Sequence, residues 1–156
     1  MIDNTTIKPS EFYPGWFYGV MVDDVTGVVL KNSTIAGVAS DDAVGISDTA
    51  GSTTGFTVQN VNFTNLWTAV LTDSADSDVS VTGSTFDGIK HGVYISAASA
   101  ASQVITGNTF RNLVATGAGD QDAISLPTGT NNTVVTNLKA TNTFSGITTP
   151  RDVRVR

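Results

Sequence analysis

Six short segments of one design recur along this chain: GVMV (Gly19 to Val22), AVGI (Ala43 to Ile46), AVLT (Ala69 to Thr72), GVYI (Gly92 to Ile95), AISL (Ala123 to Leu126) and GITT (Gly146 to Thr149). Their first residues are 24, 26, 23, 31 and 23 positions apart. Self-similarity at a period of roughly 20 to 50 residues is the signature of a chain that stacks one supersecondary unit on the next. The first position is always Gly or Ala, and the second is always β-branched: Val20, Val44, Val70, Val93, Ile124 and Ile147. Two residues on, where a strand returns to the same face, stand Val22, Ile46, Thr72, Ile95, Leu126 and Thr149. Two inward columns repeated at coil spacing predict a parallel sheet whose rungs stack.

A second set of columns runs between these strands. Leu30, Val58, Val81, Ile105 and Val135 share one position, and five residues later come Ile35, Phe63, Phe86, Phe110 and Ala140. An odd spacing cannot put both on one face of a straight strand, so the chain must bend between them. The bend carries Asn32, Asn60, Gly83, Gly107 and Asn137, the residue types that enter the left-handed backbone region at least cost. Three residues past the Phe column lie Val38, Leu66, Ile89 and Leu113, with Thr143 closing the series. The coil unit is V-x-[NG]-x-x-F-x-x-L-x-x-[GA]-V-x-[IV] followed by a polar loop.

Composition agrees with an all-β reading: Thr, Ser, Val, Gly, Asn and Asp dominate, and no segment carries a sustained apolar i, i+3, i+4, i+7 stripe. At 156 residues and 40% apolar content the chain fits one domain with a continuous core. Fourteen acidic against eight basic residues give a net charge of -6, which argues against nucleic-acid and membrane-surface partners. There is no cysteine, hence no disulfide and no thiolate chemistry. The longest apolar stretch, near GWFYGVMV, falls short of the roughly 20 residues of a spanning helix, and MIDNTTIKPS shows no secretory pattern.

VITGNTFRNL (Val104 to Leu113), VSVTGSTFDGI (Val79 to Ile89) and FTVQNVNFTNL (Phe56 to Leu66) resemble the repeat of right-handed parallel β-helix proteins, the pectin-lyase-like superfamily of pectate lyases, polygalacturonases and phage tailspikes. The resemblance implies an all-β fold: a single right-handed parallel β-helix of about six rungs. It divides the chain into an N-terminal aromatic cap (1–18), the β-helix (19–149) and a C-terminal basic tail (150–156). SEFYPGWFYG is expected to plug the first rung, and the arginines of TTPRDVRVR to guard the last edge or pair with an acidic surface of a neighbouring subunit.

Insertions in a solenoid map to loops on one face, often the binding face. From the Leu column to the Gly/Ala column is five residues at Val38 to Ala43 and ten at Leu113 to Ala123, against three in three other coils. The insertions carry Asp41 and Asp42, and Asp120 and Asp122. The residue before each small one forms its own column: Tyr18, Asp42, Thr68, His91, Asp122 and Ser145. With Trp67, Lys90 and Tyr94 beside it, this column makes a lip suited to a sugar polymer, with ring faces for pyranoses and polar groups for hydroxyls.

SDDAVGI and KHGVYIS look like the Asp-Asp and Gly-His-Gly elements of polygalacturonases, which makes Asp42, His91 and Asp122 the candidate catalytic residues. Trp67, Lys90, Tyr94, Asp41 and Asp120 are the candidate ligand-binding residues. Two features depart from that family: a coil bearing Thr68 separates Asp42 from His91, and the family's Arg-x-Lys element has no counterpart after His91. Asp42 and Asp122 would stand about 14 Å apart at a rise of about 4.8 Å per rung. That exceeds the roughly 9.5 Å upper separation for inverting hydrolysis. The relatives' calcium chemistry points to Asp73, Asp76 and Asp78 in DSADSD as metal candidates, and no other cofactor is expected. The expected function is an extracellular, cell-surface or virion module for polysaccharide recognition or elongated assembly, tailspike- or adhesin-like, self-associating as a trimer or end to end. The alternative is a polysaccharide lyase or glycoside hydrolase.

Overall fold

The computed structural model describes residues 1–9, 17–38, 43–50, 53–73, 78–96, 103–114, 121–147 and 151–156. The chain winds through three parallel sheets in turn. Sheet A holds β1 (Ile2–Asp3), β4 (Val29–Lys31), β7 (Phe56–Gln59), β10 (Val79–Thr82) and β13 (Val104–Thr106). Sheet B holds β2 (Thr6–Ile7), β5 (Thr34–Ala36), β8 (Asn62–Thr64), β11 (Thr85–Asp87), β14 (Thr109–Arg111) and β16 (Thr143–Ser145). Sheet C holds β3 (Phe17–Asp23), β6 (Ala43–Ala50), β9 (Thr68–Thr72), β12 (His91–Ile95), β15 (Asp122–Leu126) and β17 (Val153–Val155). Every pairing is parallel between consecutive coils, as the repeat predicts.

The bend between sheets A and B is where the sequence puts it. Asn32, Asn60, Gly83 and Gly107 take positive φ of 49°, 53°, 60° and 68°. Just past this bend a buried polar ladder satisfies the turn's backbone. Ser84 Oγ accepts from the Val61 amide at 3.1 Å, and the Ser84 amide donates to Asn108 Oδ1 at 2.9 Å. The Asn108 amide in turn donates to Asn142 Oδ1 at 3.0 Å. Inside sheet B the Phe column becomes a stack, with ring centroids 4.9 Å apart for Phe63–Phe86, 4.5 Å for Phe86–Phe110 and 5.4 Å for Phe110–Phe144. Buried aromatic pairs of this kind add about 0.5 to 1.5 kcal/mol beyond the area they remove from water.

Both ends differ from the sequence expectation. Residues 2–7 already supply the first strands of sheets A and B, so the solenoid begins inside the stretch read as a cap; residues 10–16 of the expected aromatic plug lie outside the described residues. At the far end, the place of a sixth sheet A strand is taken by helix α1 (Asn132–Thr141). Its N-cap Asn131 accepts the Thr133 amide at 2.7 Å, and Leu138 is buried with Val134 half-buried beside it, an i, i+4 pair against the core. Val135 and Ala140 therefore do not continue their columns. Phe144 pairs with Phe110 and Val153 with Ile124, so Phe144 and Val153 hold the positions read as Ala140 and Ile147. The basic tail is the last rung of sheet C.

Candidate functional site

The outer face of sheet C over its last four rungs gathers most of the predicted lip. His91 is level with Thr68 on one side and Asp122 on the other, the neighbour relation expected from rung spacing. Gly92 lets this rung sit close: a Cβ there would lie 2.3 Å from the Ala123 carbonyl oxygen and 2.7 Å from the Phe110 ring. Backbone bonds fix the same registry, with the His91 amide donating to Trp67 O at 2.8 Å and the Asp122 amide to Lys90 O at 3.1 Å.

The side chains form one connected row. Lys90 Nζ lies 3.3 Å from the centroid of the Trp67 ring, an ammonium placed on an aromatic face. Trp67 meets the His91 ring edge-on at 6.1 Å, and His91 meets Tyr94 edge-on at 5.9 Å. The Arg156 guanidinium stands 5.0 Å from the Tyr94 centroid. Trp67 and Tyr94 remain half-buried.

Behind this row the lip is not the solvated edge that its polar residues predict. Lys90, His91 and Asp122 are 2%, 8% and 1% exposed. The last rung closes over Asp122. Arg156 reaches to the adjacent strand β15 to ion-pair with Asp122 and to donate to Ser125 Oγ, and Arg154 Nη1 lies 3.7 Å from the other Asp122 oxygen. Ser125 Oγ donates to Asp122 at 3.4 Å, and His91 Nδ1 stands 3.7 Å from Asp122 Oδ2, an ion-pair distance beyond hydrogen-bond reach. Beside them Arg151 donates to Gln121 Oε1 at 3.1 Å. These arginines are the residues that sequence reasoning left at an edge. The available signal was that three of the eight basic residues fall in the last six positions.

Other predicted residues stand apart. Asp41, Asp42, Asp76 and Asp120 lie outside the described residues. The register of sheet C also corrects the column assigned to Asp42: Val44, not position 42, is level with Thr68, and Ile46 rather than Val44 with Val70. Asp73 accepts from Ser96 Oγ, and Asp78 is exposed. Among the described residues no three His, Cys, Asp or Glu side chains gather as a metal set.

The chain matches the family described as right-handed beta helix region across residues 2–151. It belongs to that family. Comparison with curated proteins and with solved structures gave no match. The β-helix supplies the rigid parallel scaffold, and chemistry must be argued from the face itself. Here a sealed carboxylate, Asp122, is compensated by two guanidiniums, and the buried Asp152 beside it is held by Lys139 at 2.9 Å and by the Val153 amide at 2.8 Å. Neither is placed as a solvent-facing acid. No described helix is long and apolar enough to cross a membrane.

Proposed function

We propose that this β-helix protein is a polysaccharide-recognition module working in an extracellular, cell-surface or virion setting, and that sheet C is its binding face. The observation that supports this reading is the connected row Lys90, Trp67, His91, Tyr94 and Arg156, in which two half-exposed rings are held rigid by cations and by an imidazole edge. Pyranose rings stack on such faces at low entropic cost because the side chains are ordered before binding. The buried Asp122 cluster anchors the row from below. The competing reading, a lyase or hydrolase built on Asp42, His91 and Asp122, needs a second accessible carboxylate, and the sealed geometry of Asp122 disfavours it.

The test is a glycan panel read by calorimetry on dilute protein. Trp67→Ala and Tyr94→Ala are expected to lower affinity for the bound glycan at least tenfold, with the fold checked by circular dichroism. His91→Ala is expected to lower it less. Unchanged affinity in both ring variants, or turnover of the glycan that His91→Ala abolishes, would overturn the reading.

A further inference from the structure

We propose that the protein stacks head to tail on a second copy of itself, joining the front edges of sheets B and C to their back edges. This goes beyond glycan recognition and rests on the edge strands and end charges, with Arg156 the one residue shared with the binding row. Within the described residues, β2 and β3 pair only backward-facing neighbours β5 and β6, while β16 and β17 end their sheets on the other side. An edge strand presents a row of backbone donors and acceptors that templates a further strand.

The columns say how a next copy would seat. Val20, Ile46, Val70, Val93, Ile124 and Val153 are level rung by rung, as are Ile7, Ile35, Phe63, Phe86, Phe110 and Phe144. Continuing the same register sets Val20 of the second copy beside Val153, Val22 beside Val155, and Ile7 beside Phe144. The half-buried apolar groups that close the columns, Ile7 and Val20 in front and Phe144 behind, would then be covered. Exposed Met21 and Val155, at 70% and 38%, lie on the same two edges.

Charge selects this pairing over its alternatives. With the ion-pair partners at each end included, residues 1–31 carry Asp3, Glu11, Asp23 and Asp24 against Lys8 and Lys31, a net of -2, whereas residues 121–156 carry Lys139, Arg151, Arg154 and Arg156 against Asp122 and Asp152, a net of +2. Front-to-front and back-to-back contacts meet like charge. Head-to-tail contact meets opposite charge, with Arg156 arriving at the level of the exposed Asp23–Asp24 turn. Because α1 occupies the sixth position beside sheet A, the joint uses two sheets of three, which makes it salt-sensitive and concentration-dependent. A contact between unlike surfaces that continues the solenoid axis in register does not close on itself and extends as a filament.

Sedimentation velocity of the full chain, without glycan, tests this. Mass is expected to rise with concentration at low salt and to fall at least several-fold toward monomer at about 0.5 M salt, where screening is nearly complete beyond a few ångströms. Asp23→Lys with Asp24→Lys blocks the front and Val155→Lys blocks the back, so each variant alone is expected to stay monomeric. An equimolar mixture has one good front and one good back, and is expected to stop at a dimer. A monomer at every concentration, a closed trimer, or a mixture that fails to dimerise would overturn the proposal. The glycan titration on dilute monomer is untouched by any of these results.

Discussion

The middle rungs and the end rungs of this solenoid are held by different physics. Between Asn62 and Arg111 each coil repeats its neighbour: Phe on Phe, Val on Val, a left-handed turn on a left-handed turn. The two ends have only one neighbour each and hold on through contacts that occur once. At the front, Asn60 Nδ2 donates to Asn32 Oδ1 at 3.3 Å, Asn32 Nδ2 to Asp3 Oδ1 at 3.0 Å, and Lys31 pairs with Asp3 at 3.3 Å. At the back, Arg156 and Arg154 clamp Asp122, Lys139 clamps Asp152, and α1 covers what a strand would have covered. Solenoid stability is close to a sum over rungs and nearest-neighbour interfaces, so a terminal rung lacks one interface term. Directional polar contacts offset that loss, and they also keep the edge charged.

The largest expected effect breaks the middle. Phe86 is fully buried between Phe63 and Phe110, and Phe86→Ala is expected to cost about 3 to 5 kcal/mol in urea unfolding. Phe144→Ala, half-buried with its stacking partner Phe110 at 5.4 Å, is expected to cost about half of that or less. Equal costs would mean that the last rung is not the weaker interface.

Next comes the clamp. Removing one partner of a buried ion pair costs roughly 3 to 5 kcal/mol when the other charge stays buried. The guanidinium side chains here are 33% and 32% exposed and regain water, so Asp122→Ala is expected to cost about 1 to 3 kcal/mol. The loss is local to the end: amides of Val153 to Val155 should exchange faster, while those of Val81 and Phe86 hold their protection. Uniformly faster exchange would show that Asp122 supports the whole solenoid and not its last rung alone.

This division also explains what the sequence could reveal. The middle is legible because every position there is stated three times; Phe63, Phe86 and Phe110 declare a column that no single coil could. Sheet C slips where the pattern is degenerate. In AVGI both Val44 and Ile46 suit an inward position, and a period of two cannot distinguish a shift of two residues. The last coil is illegible as a repeat because α1 replaces its first strand, and three residues of β17 sit inside what reads as a charged run. For the site, rung spacing brings His91 to Asp122 and Trp67 beside them. It could not bring Arg156, which lies 34 residues beyond Asp122 along the chain, because that contact obeys no column.

The smallest effect sharpens the comparison through pH. The Asn32 amide beside Asp3, and after it the Lys31 ammonium, hold the Asp3 carboxyl below its ordinary value of 3.8. A carboxylate favoured by the folded state contributes stability that is complete above the unfolded value and is lost as pH falls through the lowered folded one. The front rung should therefore loosen only in acid, at and below the ordinary carboxylate range. Asp3→Asn keeps an acceptor for Asn32 but not the charge, so the Tm gap between wild type and this variant should be small at pH 6 and should close as pH drops below 3.8. The gap caused by Phe86→Ala has no titrating partner in its stack and should stay constant over the same range while both proteins remain folded. A constant gap for Asp3→Asn would remove charge from the account of the front rung and leave its hydrogen-bonded ladder to hold it alone.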